Sequence, residues 1–204
     1  SSGGGDGVEI TLPGKKKAPV TAYVTFVTNG GDEQDSYYTL NKKGNKASLH
    51  KLVRKGYTFK GWYCTYTDKK GKEKTKKLSA LTATTLNKYA VDGELILTAQ
   101  FNPNKYTVKY YKTAKLDGKK VKMKGKAKSW KGAYSQDNET VQNVTIADGS
   151  TITAKDTTLE LIGWTRVKYG TEAEFETGDS VSLEDLIPDK GKTVKLYPVF
   201  VKKQ

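Results

Sequence analysis

The stretch GYTFKGWYCTYTDKKGKEKTKK, Gly56 to Lys77, decides how this chain is read. It opens with Tyr57 and Phe59 alternating with polar residues, passes through Gly61-Trp62 and ends in lysines around Gly71. Alternation at period two marks a strand with one buried face. A large indole anchors a small core. A glycine beside it admits a neighbouring segment or a bulge where the strand bends. Gly61-Trp62 therefore reads as a packing device rather than a ligand-binding aromatic, and the lysines as an exposed hairpin turn that blunts a sheet edge. The same device returns in LELIGWTRVKYG, Leu159 to Gly170, where Leu159 and Leu161 precede Gly163-Trp164.

Working outward, the segments flanking each Gly-Trp also align, the signature of an internal repeat. Ala22, Val24 and Phe26 alternate in the opening strand of the first copy, and Tyr106, Val108 and Tyr110 in that of the second. The closing strands place Leu95, Leu97, Ala99 and Phe101 on one face, matched by Val194, Leu196, Pro198 and Phe200. A short helical signal precedes each closing strand. Ser182 is the expected N-cap in the second copy, with Glu184 and Asp185 in the first turn and Pro188 as stop. In the first copy the expected cap is Thr84 or Thr85 and the terminator Gly93. Strand-rich segments broken by one short helix give an α+β, mostly β chain of two small modules.

The copies are unequal: between opening strand and Gly-Trp the second is longer by about 18 residues. The excess includes KKVKMKGKAKSWKGAYS, read as an added lysine-rich hairpin or loop. The expected division is an N-terminal tether at 1–20, module one at 21–103 and module two at 104–204. The short linker NPNK, Asn102 to Lys105, restricts motion between two beads in series.

Composition bounds the function. The chain has 204 residues, is 35% hydrophobic and 28% charged, and carries a net charge of +14. No run approaches the ~18 apolar residues of a membrane span. A single cysteine, Cys64, excludes an intrachain disulfide. Arg54 and Arg166 are the only arginines among 36 basic residues. Specific readers of nucleic acid lean on arginine for bidentate contacts, so no specific nucleic acid is expected as partner. The start, SSGGGDG, is a flexible tract by composition. It is similar to the segment that follows the lipid-bearing cysteine of bacterial lipoproteins, and equally to an ordinary terminus.

The pattern YVTFVTNGG … KGYTFKGWY … LILTAQF resembles the Listeria–Bacteroides repeat, or internalin B-repeat, family. Asn29, Gly30, Gly31, Gly56, Tyr57, Phe59, Gly61, Trp62, Leu97, Ala99 and Phe101 carry the resemblance. The second copy keeps Gly163, Trp164, Leu196, Tyr197 and Phe200 but lacks Asn-Gly-Gly. Pro198 stands where the family favours alanine, which implies an edge strand or a bulge. The resemblance implies tandem β-grasp (ubiquitin-like) modules on extracellular bacterial proteins, acting as spacers or adhesion elements; with the glycine-rich start, the expectation is a surface protein of a Gram-positive-type bacterium, lipid-anchored or wall-associated. It implies no enzyme, catalytic residue or cofactor.

The residues alone offer weak alternatives. His50 and Cys64 could form a dyad only if folding brought them together; a surface imidazole and a structural thiol are the simpler reading. No cysteine–histidine cluster has zinc spacing. Glu172, Glu174 and Glu176 read as a solvated strand face rather than paired catalytic carboxylates. Asp32, Glu33 and Asp35 lack a calcium-loop pattern. The remaining candidate is a contact for glycan or anionic polymer (teichoic acid, glycosaminoglycan or nucleic acid) built from Lys119, Lys120, Lys122, Lys124 and Lys126 with Trp130. Aromatic plus basic residues can stack rings while holding phosphate; Trp130 can equally close an extra hairpin.

Overall fold

The computed structural model describes residues 5–16 and 18–204. Half of the chain is strand and 6% helix, so it is α+β and mostly β. It divides into two compact units, Ser1–Asn102 and Pro103–Gln204.

Unit one runs β1 (Gly5–Leu12), β2 (Val20–Val27), β3 (Tyr38–Leu40), β4 (Ala47–Leu49), β5 (Tyr57–Thr67), β6 (Glu73–Leu78), β7 (Ala80–Leu81), α1 (Ala83–Tyr89) and β8 (Glu94–Pro103). Its main sheet has the order β1-β2-β8-β5-β6, and β3-β4-β7 form a second, small sheet. β2 and β8 are parallel, with Val24 opposite Leu95 and Phe26 opposite Leu97. The alternating apolar residues of both strands enter one core with Trp62, Leu81 and Leu86.

Unit two runs β9 (Lys105–Tyr110), β10 (Lys115–Leu116), β11 (Lys119–Lys120), β12 (Met123–Gly125), β13 (Trp130–Ala133), β14 (Gln136–Asp137), β15 (Thr140–Val141), β16 (Asn143–Thr145), β17 (Ile152–Ala154), β18 (Leu159–Thr165), β19 (Phe175–Glu176), β20 (Ser180–Ser182), α2 (Leu183–Leu186) and β21 (Thr193–Lys202). Its main sheet has the order β13-β9-β21-β18-β19. β9 and β21 are parallel, with Val108 opposite Val194 and Tyr110 opposite Leu196. Position by position this is the main sheet of unit one. The small pairings correspond as well: β4 with β7 just before α1, and β16 with β20 just before α2.

The position beside the opening strand is filled differently in the two units. In unit one it is β1, paired residue for residue with β2 from Gly5–Val27 to Leu12–Val20. In unit two it is β13, which comes from the lysine-rich insertion and pairs Trp130 with Val108. The tether expected at residues 1–20 is thus corrected over Gly5–Leu12. Ile10 and Leu12 are buried in the core, and burial of two aliphatic side chains is worth about 3–6 kcal/mol together, which a free tether forgoes. Ser1–Gly4 of that tether lie outside the described residues.

Two local expectations are also corrected. The N-cap of α1 is Thr82, not Thr84 or Thr85. Its backbone is extended and its hydroxyl accepts the Thr85 N–H, while the Thr85 side chain accepts from the Thr82 N–H, a reciprocal capping box. The helix ends at Ala90, whose N–H bonds to the Leu86 carbonyl, so Gly93 belongs to the turn into β8. Ser182 does cap α2. Pro198 lies in β21, a central strand, not an edge. Its pairing with β9 has already ended at Leu196, and the register of β18 against β21 shifts between Leu161 and Gly163 beside it. Proline is tolerated where the ladder is interrupted in this way.

Candidate functional site

The two indoles sit in matching surroundings. Trp62 and Trp164 are fully buried. The Trp62 Nε1–H donates to the His50 carbonyl at 2.7 Å, and the Trp164 Nε1–H to the Ala147 carbonyl at 2.8 Å. Each acceptor follows the corresponding small strand, β4 or β16. Each ring meets an aromatic of the opening strand edge to face: Phe26 at 5.2 Å from Trp62, Tyr110 at 4.7 Å from Trp164. A buried indole needs a partner for its N–H, and both units supply one from the same place in the fold. Tyr110 also accepts from the Ala147 N–H, and burial pushes its phenol above the ordinary value.

The glycines beside the indoles do two different jobs. Gly61 has φ +137, a conformation open to glycine and strained for other residues. Gly163 lacks that strain. A methyl group there would lie 2.2 Å from the Phe175 carbonyl oxygen and 2.6 Å from the Ala173 Cβ, so β19 can close on β18 only because Gly163 has no side chain.

Both arginines serve the fold. The Arg54 guanidinium lies 3.8 Å over the Tyr57 ring. Arg166 grips Glu174 through Nε and Nη2 and donates from Nη1 to the Asp185 and Leu186 carbonyls at the end of α2. Partial burial opposes ionisation of Glu174, but the Arg166 N–H and guanidinium and the Thr165 hydroxyl outweigh it and hold the carboxyl below its ordinary value. Glu172, Glu174 and Glu176 do not share a strand face, because β19 is only Phe175–Glu176.

The remaining chemical candidates are dispersed or occupied. Both His50 ring nitrogens are engaged, Nδ1 with the Ser36 carbonyl and Nε2 with the Thr39 hydroxyl. Cys64 is buried in β5, and that burial raises its thiol pKa, which keeps it protonated and inert. Asp32 accepts the Val53 N–H through its carboxylate, fixing the turn after β2. Among the described residues no three histidine, cysteine, aspartate or glutamate side chains gather as a metal site would require.

The lysine-rich insertion separates into three pieces. Lys119 and Lys120 form β11, the second arm of a hairpin whose turn, Asp117-Gly118, has positive φ at both residues, the geometry of a tight two-residue turn. Lys124 lies in β12, which pairs with β17. Trp130 begins β13 and lies across Gly132 in its own strand. The added lysine-rich hairpin or loop expected from the sequence thus resolves into these separate pairings. Lys119, Lys120 and Lys122 instead line an open hollow of about 600 Å³ with Lys155 and Lys202, and Lys124, Lys126 and Trp130 lie outside it. Sequence reading missed Lys155 and Lys202, which stand about 35 and 80 positions beyond Lys120 and Lys122 and share no motif with them.

The fold and these anchors define a small, mostly β repeat unit. Residues 23–100 match the family model of the Listeria-Bacteroides repeat domain. Neither a curated protein nor a solved structure matches the chain. The matched stretch lies within unit one and leaves out β1.

Proposed function

We propose that the chain is a non-enzymatic surface repeat protein of a bacterium, built from two β-grasp-like modules, that acts as a load-bearing spacer and adhesion element. Repeats of this family are associated with bacterial surface proteins, and among the described residues no helix is long and apolar enough to cross a membrane. Lipid or wall anchorage and a Gram-positive source belong to the same reading.

One observation carries the spacer role. In each repeat the opening and closing strands are adjacent and parallel: β2 with β8, β9 with β21. In unit two the chain therefore enters the strand pair at one end and leaves at the other, whereas in unit one β1, antiparallel to β2, brings the entry back to the end at which β8 leaves. Tension between the two ends of the unit-two pair shears the ladder, so its hydrogen bonds share the load instead of opening one by one. Arg54, Arg166, His50 and Asp32 are all engaged by the fold, which supports a structural role over a catalytic one.

Force spectroscopy on unit two within the full chain tests this. Handles at Lys105 and Lys202 load β9 against β21 in shear. Handles at Lys105 and Thr193 pull from the same end of the pair and unzip it. A several-fold higher unfolding force in the first geometry is expected, and equal forces would remove the load-bearing role.

A further inference from the structure

The hollow in unit two has three walls, each contributing lysine. The β10–β11 hairpin and the residues after it bring Lys119, Lys120 and Lys122; the turn between β17 and β18 brings Lys155; the end of β21 brings Lys202. The walls are tied to one another by backbone bonds. The Val121 N–H donates to the Ala114 carbonyl at 2.9 Å, Lys155 N–H to Lys122 at 2.8 Å and Lys203 N–H to Thr158 at 2.8 Å. Five ammonium groups are thus mounted on a fixed frame, which lowers the ordering cost of binding. Among the described residues none of the five lies within ion-pair distance of a carboxylate, although Lys202 is near enough to Asp156 to help lower its carboxyl pKa.

The lining also limits the ligand. Its apolar part is Leu116, Val121 and Leu159, all aliphatic, and no aromatic side chain contributes. Stacking of bases or sugar rings therefore has no platform there. Lysine is a hydrated point charge rather than a planar fork, suited to spaced phosphates without a demand on their orientation. Asp117 and Asp156 stand among the lysines; the Asp156 Oδ1 already accepts from the Thr158 N–H and hydroxyl, which leaves Asp117 and the second Asp156 oxygen to face hydroxyl groups. The combination fits a chain in which phosphodiesters alternate with hydroxyl-bearing carbons.

We propose that this hollow is a binding site for a polyol phosphate polymer, held by Lys119, Lys120, Lys122, Lys155 and Lys202. The proposal deepens the adhesive part of the function above and is independent of the shear geometry.

Isothermal titration of the full chain with poly(glycerol phosphate) tests it, with glycerol phosphate and heparin as comparison ligands. One variant carries Lys119→Gln, Lys122→Gln, Lys155→Gln and Lys202→Gln. A second carries Lys124→Gln, Lys126→Gln, Lys128→Gln and Lys131→Gln, an equal loss of charge in the same unit but outside the hollow. All eight side chains are exposed, so the fold is retained. The first variant is expected to bind the polymer at least ~10-fold more weakly, with a salt dependence shallower by about two to three counterions; the second is expected to stay within about twofold of the parent. Absence of binding, equal weakening of both variants, or glycerol phosphate binding as tightly as the polymer would overturn the site. Heparin binding with the same dependence on the hollow would overturn the choice of phosphate over sulfate. None of these outcomes alters the force measurement, so failure here is distinguishable from failure of the spacer role.

Discussion

The Trp62 indole N–H and the His50 carbonyl oxygen, twelve residues apart in sequence, meet at 2.7 Å inside unit one. The bond ties β5 to the residue that follows β4 and closes the core over the ring. Trp62→Phe keeps an aromatic in the pocket but leaves the carbonyl without its donor. A loss of about 1–3 kcal/mol is expected for the unpaired group, read as a lower urea midpoint with unchanged slope.

Leu12 separates strand from tether. It is fully buried and opposite Val20. Leu12→Ala is expected to cost about 2–5 kcal/mol, whereas a substitution in a free tether stays within about 0.5 kcal/mol. Urea unfolding followed by tryptophan fluorescence distinguishes the two.

What the sequence disclosed and concealed follows from how strongly each residue advertises its partner. The opening and closing strands were legible because their alternation is long and one face is wholly apolar. The Gly-Trp pairs were legible because an indole that size has few places to go. β1 was hidden although Val8, Ile10 and Leu12 alternate correctly, since the glycine-rich start before it and the Pro-Gly-Lys turn after it mask a short strand. The cap of α1 was misplaced because Thr82, Thr84 and Thr85 all carry the same capping hydroxyl. The hollow was half visible: Lys119, Lys120 and Lys122 stand out as a run, but only the fold brings Lys155 and Lys202 beside them.

Gly163 is a site of close approach and not of strain. Gly163→Ala places a methyl group against the Phe175 carbonyl and is expected to push β19 off β18. Amide exchange should rise at Glu174 and Thr177, which donate to the Trp164 and Ile162 carbonyls, while β9 and β21 stay protected. Protection unchanged at Glu174 and Thr177 would refute the close-packing role.

Glu174 sets an acid limit on unit two. Its carboxyl is held below the ordinary value in the fold by Arg166 and Thr165, so the unfolded chain binds the proton more tightly. The contribution is complete above the unfolded value, about 4.3, and is lost as pH falls through the lower, folded one. Arg166→Gln removes the guanidinium and is expected to flatten the stability profile as pH falls below the unfolded value. A profile as steep as the parent's would show that Arg166 does not hold the charge.

The claim that two repeat units each form their own core around one indole is tested most directly by hydrogen exchange on the full chain with Trp62→Ala and Trp164→Ala in turn. Trp62→Ala is expected to strip protection from β2, β5 and β8 while β9, β18 and β21 keep theirs, and Trp164→Ala to do the reverse. Simultaneous loss of protection in both units from either substitution would contradict it.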